Sequence, residues 1–292
     1  MSLSVPRPAF GRAASPSDPP PVAPSFRPRL LCAVWGPKGG VGKSTVAANL
    51  AAAIARTGRP VLALDLDLRA PALGVHFGLA SPGGLATLLG EAVTTDTVRH
   101  HARPAPGAPG VHVLTASPSD LLSLGAEEAD RLIAACLDAW DVVVADCASP
   151  IDEATTFAAL RAATLVYLVV DQDRVAVETA WEALRLAADA GIPRDRVRLV
   201  VNRYLPGYGI PVSAIEQYLG LRARAVIPAQ PLAYLRAVQE GKPCGLSLNG
   251  KPDNPWARLA ADALGTEAPA APRHGFLTRL FRRRTREVVG RG

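Results

Sequence analysis

The sequence predicts a doubly wound α/β domain, a mostly parallel sheet with helices on both faces. Short runs that are apolar throughout alternate along the chain with longer amphipathic stretches, the pattern of strands buried on both faces between crossover helices. The first such run opens into a glycine-rich segment that leads straight into a helical one. With 292 residues, 49% hydrophobic and 20% charged, the chain can bury one substantial core. That composition excludes wholesale disorder, collagen-like repeats and a small disulfide scaffold.

Residues 1–29 are rich in proline, with serine, alanine and arginine between, and are expected to form a flexible leader outside the fold. Folding should begin at Leu30. The expected elements are a strand over Leu30–Trp35 and a helix over Thr45–Arg56, then strands at Val61–Leu64 and Val111–Leu114. A helix over Glu127–Ala139, strands at Val142–Ala145 and Leu165–Val170, and a helix over Val175–Ala190 follow. Strands at Val197–Val201 and Ala223–Ile227 and a helix over Leu232–Gln239 complete the pattern. The domain should span 30–264, with residues 265–292 forming a linker and a basic amphipathic tail.

Charge separates the same three segments. The chain carries +6 in total, of which the leader contributes +3 and residues 273–292 contribute +6, leaving a body of −3. A mildly acidic globule with basic ends is not the profile of a folded surface that grips nucleic acid. Cys32, Cys136, Cys147 and Cys244 lie far apart with no C-x-x-C pair, so they are expected to be reduced thiols and not a metal site. The longest apolar stretch, near Leu165–Val170, is far too short to span a bilayer, so a cytoplasmic chain is expected.

Gly36-Pro37-Lys38-Gly39-Gly40-Val41-Gly42-Lys43-Ser44-Thr45 sits between the first strand and a helix, the context that the G-x-x-x-x-G-K-S phosphate loop requires. Its glycines let successive N–H groups of Gly39, Gly40, Val41 and Gly42 approach phosphate oxygens, and the helix N-terminus adds partial positive charge. Lys43 should meet the β- and γ-phosphates, Ser44 a Mg²⁺ ion, and Thr45 the α-phosphate region. Two strands end in acids at the edge where open α/β sheets bind ligands: Asp65 and Asp67 after the second, Asp146 after Trp140-Asp141-Val142-Val143-Val144-Ala145. Carboxylates there can hold metal-bound water or orient an attacking water. For Asp65, a turn or cap acid is an equally good reading.

The string KGGVGKST resembles the deviant Walker A motif of the MinD/ParA family of P-loop ATPases, in the SIMIBI class. The resemblance covers about 30–264 and implies an ATP- and Mg²⁺-dependent homodimer. It assigns Lys38 a reach across the dimer to the partner's nucleotide and Asp67 the hydrolytic role. Asp146 becomes the Walker B acid for Mg²⁺, with Asp65 in support on the metal side. Val200-Val201-Asn202-Arg203-Tyr204-Leu205-Pro206 resembles the N-R-Y-x-P segment of MinD-like proteins, which makes Asn202 the purine contact. Ile227-Pro228 and the later Gly241-Lys242-Pro243 resemble the family's close, placing Pro228 along the nucleotide. Cys147-Ala148-Ser149-Pro150 departs from the family's usual D-x-P-P or D-x-P-A second switch.

The downstream half is nearest the MinD and CpaE/TadZ branches, whose members organise division, pilus or secretion machinery. Asp67-Leu68-Arg69-Ala70-Pro71 and Gly83-Gly84-Leu85 also resemble capsule-synthesis tyrosine kinases. Those usually lack the early lysine and end in a tyrosine cluster, whereas this chain has Lys38 and its last tyrosine is Tyr234. A ParA-like DNA-partitioning ATPase is disfavoured by the acidic body. In the tail, Phe276, Leu277, Leu280 and Phe281 fall on one helical face opposite Arg279, Arg282 and Arg283. Arg284 ends this face after two turns. Such a face suits an anionic membrane surface, resembles the MinD membrane-targeting helix, and implies peripheral attachment through residues 276–283 to the inner face of the cell membrane; an inert or partner-binding tail and a nonspecific DNA-binding tail are the alternative readings.

Overall fold

A computed structural model describes residues 29–80, 83–120, 122–245 and 254–266. The leader and the amphipathic tail lie outside these residues.

Eight strands form one sheet in the order β3-β4-β2-β5-β1-β6-β7-β8. They are β1 (Leu30–Trp35), β2 (Val61–Asp65), β3 (Arg103–Pro104), β4 (Val111–Leu114), β5 (Val142–Asp146), β6 (Leu165–Val170), β7 (Val197–Tyr204) and β8 (Ala223–Pro228). Every pairing is parallel except β3 with β4, where a two-residue strand runs antiparallel along the edge. Strand β1 is central, paired with β5 on one side and β6 on the other.

The apolar character of β1 follows from its position. Side chains alternate across a strand, and here Leu31, Ala33 and Trp35 enter one core while Leu30, Cys32 and Val34 enter the other. Helices therefore have to cover both faces. On one side lie α1 (Lys43–Ala55), α2 (Leu73–His76), α9 (Pro231–Glu240) and α10 (Pro255–Leu264). On the other lie α3 (Leu85–Leu89), α4 (Thr95–His101), α5 (Ala126–Ala139), α6 (Ala154–Ala162), α7 (Arg174–Asp189) and α8 (Val212–Leu219).

Helix α10 is fastened by Trp256, fully buried against α1, and by an Asn254 side chain that caps the helix at Trp256 N, 3.0 Å away. At its other end Asp262 accepts from Tyr167 Oη at 2.9 Å and pairs with Arg198 and Arg224, at the starts of β7 and β8.

Candidate functional site

The central strand delivers the chain to the sheet edge at Trp35, and Gly36–Gly42 turn it back into α1. A Cβ at Gly36 would stand 2.6 Å from the Val169 carbonyl oxygen, so only glycine lets the loop leave alongside β6. Gly42 has φ 94° and is the N-cap of α1, with no side chain to satisfy the first-turn N–H groups. Those donors and the positive end of the helix face the edge, a ready anion site. The loop is fixed from below by Val41, which is buried, and by Asn202, whose Nδ2 donates to the Val41 carbonyl at 2.7 Å. The same amide occupies the space a side chain at Gly42 would need.

Lys43 is buried, and its Nζ donates to Ser149 Oγ at 2.7 Å. Trp35 Nε1 donates to the Ser149 carbonyl at 3.0 Å, so the segment after β5 is tied both to the phosphate-loop lysine and to the end of β1. Sequence reasoning noted the unusual Cys-Ala-Ser-Pro run but gave Ser149 no role. Its serine is the group on which the lysine rests.

Strands β2 and β5 are neighbours in register, Asp65 opposite Asp146. Both oxygens of Asp146 are buried without a hydrogen-bond partner. Burial raises its carboxyl well above the usual range and the charge of Asp65 adds to the rise, against the opposing pull of the Ser44 hydroxyl and the Lys43 ammonium. A buried, unpartnered acid beside a serine and a lysine at an anion site fits a divalent cation carried in with phosphates. Mg²⁺ is commonly held by one or two carboxylates plus phosphate oxygens. Among the described residues no cluster of three or more His, Cys, Asp or Glu side chains could hold a metal by itself.

Of the two readings given above for Asp65, the hydrogen bonds follow the turn acid. Its Oδ2 accepts from Ala72 N at 2.8 Å, Leu73 N at 2.9 Å and Thr115 Oγ1 at 3.1 Å, and its Oδ1 from Asp67 N at 3.3 Å. Burial pushes the carboxyl up to about 6 even against these four donors. It is a turn acid that shapes the loop carrying Asp67. Asp67 itself is half-buried, accepts from Ala70 N at 3.1 Å and contributes to the field that raises Asp146.

Asn202 has a structural task that residue type did not announce. The side chain is buried and its Nδ2 is held by the Val41 carbonyl, which makes it a fastener of the phosphate loop. Pro228 is exposed at the end of β8, opposite Tyr204. Arg203, given no role by the sequence, is the one non-glycine among the described residues with positive φ, 54°, and its guanidinium reaches the neighbourhood of Gly42. Its backbone strain, on the order of 1–3 kcal/mol, falls where β7 slips register against β8, beside the loop.

Lys38 lies at the rim. Its ammonium bonds Asp173 and stands 4.0 Å from Asp171, both at the end of β6 and the start of α7. The bond to Asp173 holds the lysine's pKa above its usual value. Cys32, Cys136 and Cys147 are buried, and burial pushes their thiols far up, which leaves them unreactive.

A mostly parallel α/β sheet with a glycine-rich loop at the edge of its central strand, an uncapped helix behind it and a buried acid alongside defines a P-loop nucleotide-binding domain. The CobQ/CobB/MinD/ParA nucleotide-binding domain model matches residues 32–243, and the chain belongs to that family. The crystal structure of the cell-division ATPase MinD from Pyrococcus furiosus superposes with a TM-score of 0.68 at 26% identity, covering 81% of this chain and 98% of that one. The antiactivator FleN of Pseudomonas aeruginosa is 34% identical over 183 residues, 59% of this chain and 62% of FleN. The tyrosine-protein kinase Ptk of Acinetobacter johnsonii is 33% identical over 121 residues, 40% of this chain and 16% of the kinase. The chain thus spans less than two thirds of FleN and a small part of the kinase. No helix among the described residues is long and apolar enough to cross a membrane.

Proposed function

We propose that the protein is an ATP-driven dimerisation switch that acts at a membrane surface and positions a larger apparatus. The observation that carries this reading is the division of labour between two lysines of one loop. Lys43 is buried beside the phosphate site, whereas Lys38 stands on the rim, paired only with acids of its own chain. A phosphate within the subunit is served by Lys43, so Lys38 is available for the nucleotide of a second copy.

In this reading the N–H groups of Gly39–Gly42 and of the first turn of α1, with Lys43 and Thr45, hold the phosphates of ATP. Ser44 and Asp146 hold Mg²⁺, which supplies charge compensation for phosphoryl transfer. Asp67, presented by the turn that Asp65 organises, orients the attacking water. Lys38 crosses to the partner's phosphates, and residues 276–283 of both copies meet the anionic surface together. Two weak attachments on one dimer act as one stronger one, because the second is effectively intramolecular.

Sedimentation velocity with ATP, with ADP and without nucleotide tests the switch, and co-sedimentation with anionic vesicles in the same three states tests the address. Dimer and vesicle binding are expected with ATP alone, and both should disappear in Lys38→Ala. Equal vesicle binding in all three states would overturn the model. ATP-dependent label appearing on tyrosine would favour the kinase alternative.

A further inference from the structure

The contact between Lys43 and Ser149 leaves one of the two groups with a proton to give. An ammonium has donors and no acceptor, so in their 2.7 Å bond Lys43 Nζ donates and Ser149 Oγ accepts. A serine hydroxyl carries a proton of its own besides its lone pairs, and the lysine cannot take it. Lys43 is the hydroxyl's one hydrogen-bond partner among the described residues. That proton is left for an acceptor that enters the site.

The backbone under the hydroxyl is fixed independently of the lysine. The Ser149 carbonyl accepts from the indole of Trp35, a buried side chain, at 3.0 Å, and the Ala148 carbonyl accepts from Thr156 Oγ1 at 3.4 Å. The same segment is bound to the loop that carries Asp67. Thr155 Oγ1 donates to the Leu66 carbonyl at 3.1 Å, and Glu153 pairs with Arg69 at 2.8 Å. Ser149 thus belongs with Asp146 and Asp67, on the acid-bearing side of the site, and not with the glycines of the loop. In the reading proposed above, that side serves the terminal phosphate, where Asp67 orients water. Lys43 belongs to both sides, since the lysine of such a loop reaches the β- and γ-phosphates.

The hydroxyl is also a departure from pattern. In D-x-P-P and D-x-P-A runs the last position holds proline or alanine, neither of which can donate from its side chain. Counted from Asp146, that position here is Ser149.

We propose that Ser149 is a specificity-determining residue that separates ATP from ADP: its hydroxyl accepts from Lys43 in either case, or in the empty site, and donates only to a γ-phosphate. This rests on the reading of Gly36–Thr45 as the phosphate site for ATP. With ADP the proton of Ser149 stays unspent. With ATP the hydroxyl acquires an ionised acceptor, and hydrogen bonds to ionised groups are the stronger kind. Because Trp35 and Thr156 already hold the segment, little ordering is needed when that bond forms.

Calorimetric titration of the full chain with Mg·ATP and with Mg·ADP tests the assignment. Ser149→Ala should lower the ratio of ATP to ADP affinity about tenfold, the equivalent of 1.4 kcal/mol. Ser149→Thr, which keeps the hydroxyl, should hold the ratio of the unaltered chain. Ser149 is half-buried, so neither substitution empties or overfills the core. A merely structural role would leave the ratio alone, because a disturbed loop, or a Lys43 freed from its partner, acts on both nucleotides alike. Equal changes for ATP and ADP in Ser149→Ala would overturn the proposal. So would a ratio that falls as far in Ser149→Thr as in Ser149→Ala, since shape and not the hydroxyl would then be responsible. If the unaltered chain binds neither nucleotide, the phosphate-site reading itself fails and the proposal goes with it; if it binds both and only the ratio test fails, that reading stands without Ser149.

Discussion

Replacing Asn202 by alanine distinguishes a fastener of the phosphate loop from a contact to the base. The amide donates to the Val41 carbonyl at 2.7 Å in a buried place, so the substitution leaves that carbonyl without its donor. The cost of a lost buried hydrogen bond is about 1–3 kcal/mol. If the loop must regain its shape whenever phosphate binds, affinity should fall by about 5- to 150-fold. The loss should be blind to the base. Titration calorimetry with Mg·ATP and with Mg·tripolyphosphate should therefore show the same factor for both. A loss confined to ATP, or no loss at all, would refute the fastener. Gly42→Ala supplies a second check, because its new Cβ collides with that same amide and is strained besides by the positive φ. Combined with Asn202→Ala the collision is relieved and only the backbone strain remains. The double variant should lose less stability than the two single losses added together.

Three further outcomes follow from the burial pattern. Burial, and after it the charge of Asp65 on the adjacent strand, disfavours an ionised Asp146, a penalty on the order of 3 kcal/mol for a buried unpaired group. Asp146→Asn should accordingly raise the melting temperature of the nucleotide-free protein at pH 8 in EDTA, by about 6–10 °C for a domain of this size. A carboxyl raised in the folded state costs stability above its folded pKa and none below its unfolded one. The advantage of the variant should therefore shrink as the pH approaches 4, while stabilisation by Mg·ATP is lost; a lower melting temperature at pH 8 would contradict the account. Burial lowers His76 to about 4, so its contribution is complete above pH 6.5 and fades as the pH falls toward 4. In urea titrations His76→Gln should narrow the gap in stability between pH 7 and pH 4.5. Trp256→Ala empties a fully buried site between α10 and α1 and should cost about 3–5 kcal/mol in the same titration.

Seven of the eight strands were legible because each is an apolar run with few competitors. The eighth, β3, has two exposed residues and exists only because β4 offers an edge. Helices α2, α3, α4, α6 and α8 escaped notice because four to nine residues hold too few turns for a periodic signal, and α10 follows the stretch 246–253 that interrupts the pattern. At the site, the loop Gly36–Thr45 was readable because its chemistry is contiguous. The structural tasks of Asp65 and Asn202 were not legible, for the opposite reason. Their partners, Leu73 and Thr115 for one and Val41 for the other, are backbone and hydroxyl groups supplied by distant elements, and residue type gives no warning that an acid or an amide has been claimed. Ser149 was missed because only the three-dimensional path of Lys43 singles it out.

The bond from Asn202 to Val41 spans 161 residues of sequence. On a ribosome, the loop and α1 emerge long before β7, so a nascent chain displays the whole nucleotide motif while its fastener has yet to be made. ATP binding then rewards only the chain that has added β7 to the sheet, since a ligand stabilises the form that binds it and no other. The nucleotide becomes a late check on assembly, and a truncated product ending before residue 202 should carry the motif without the affinity.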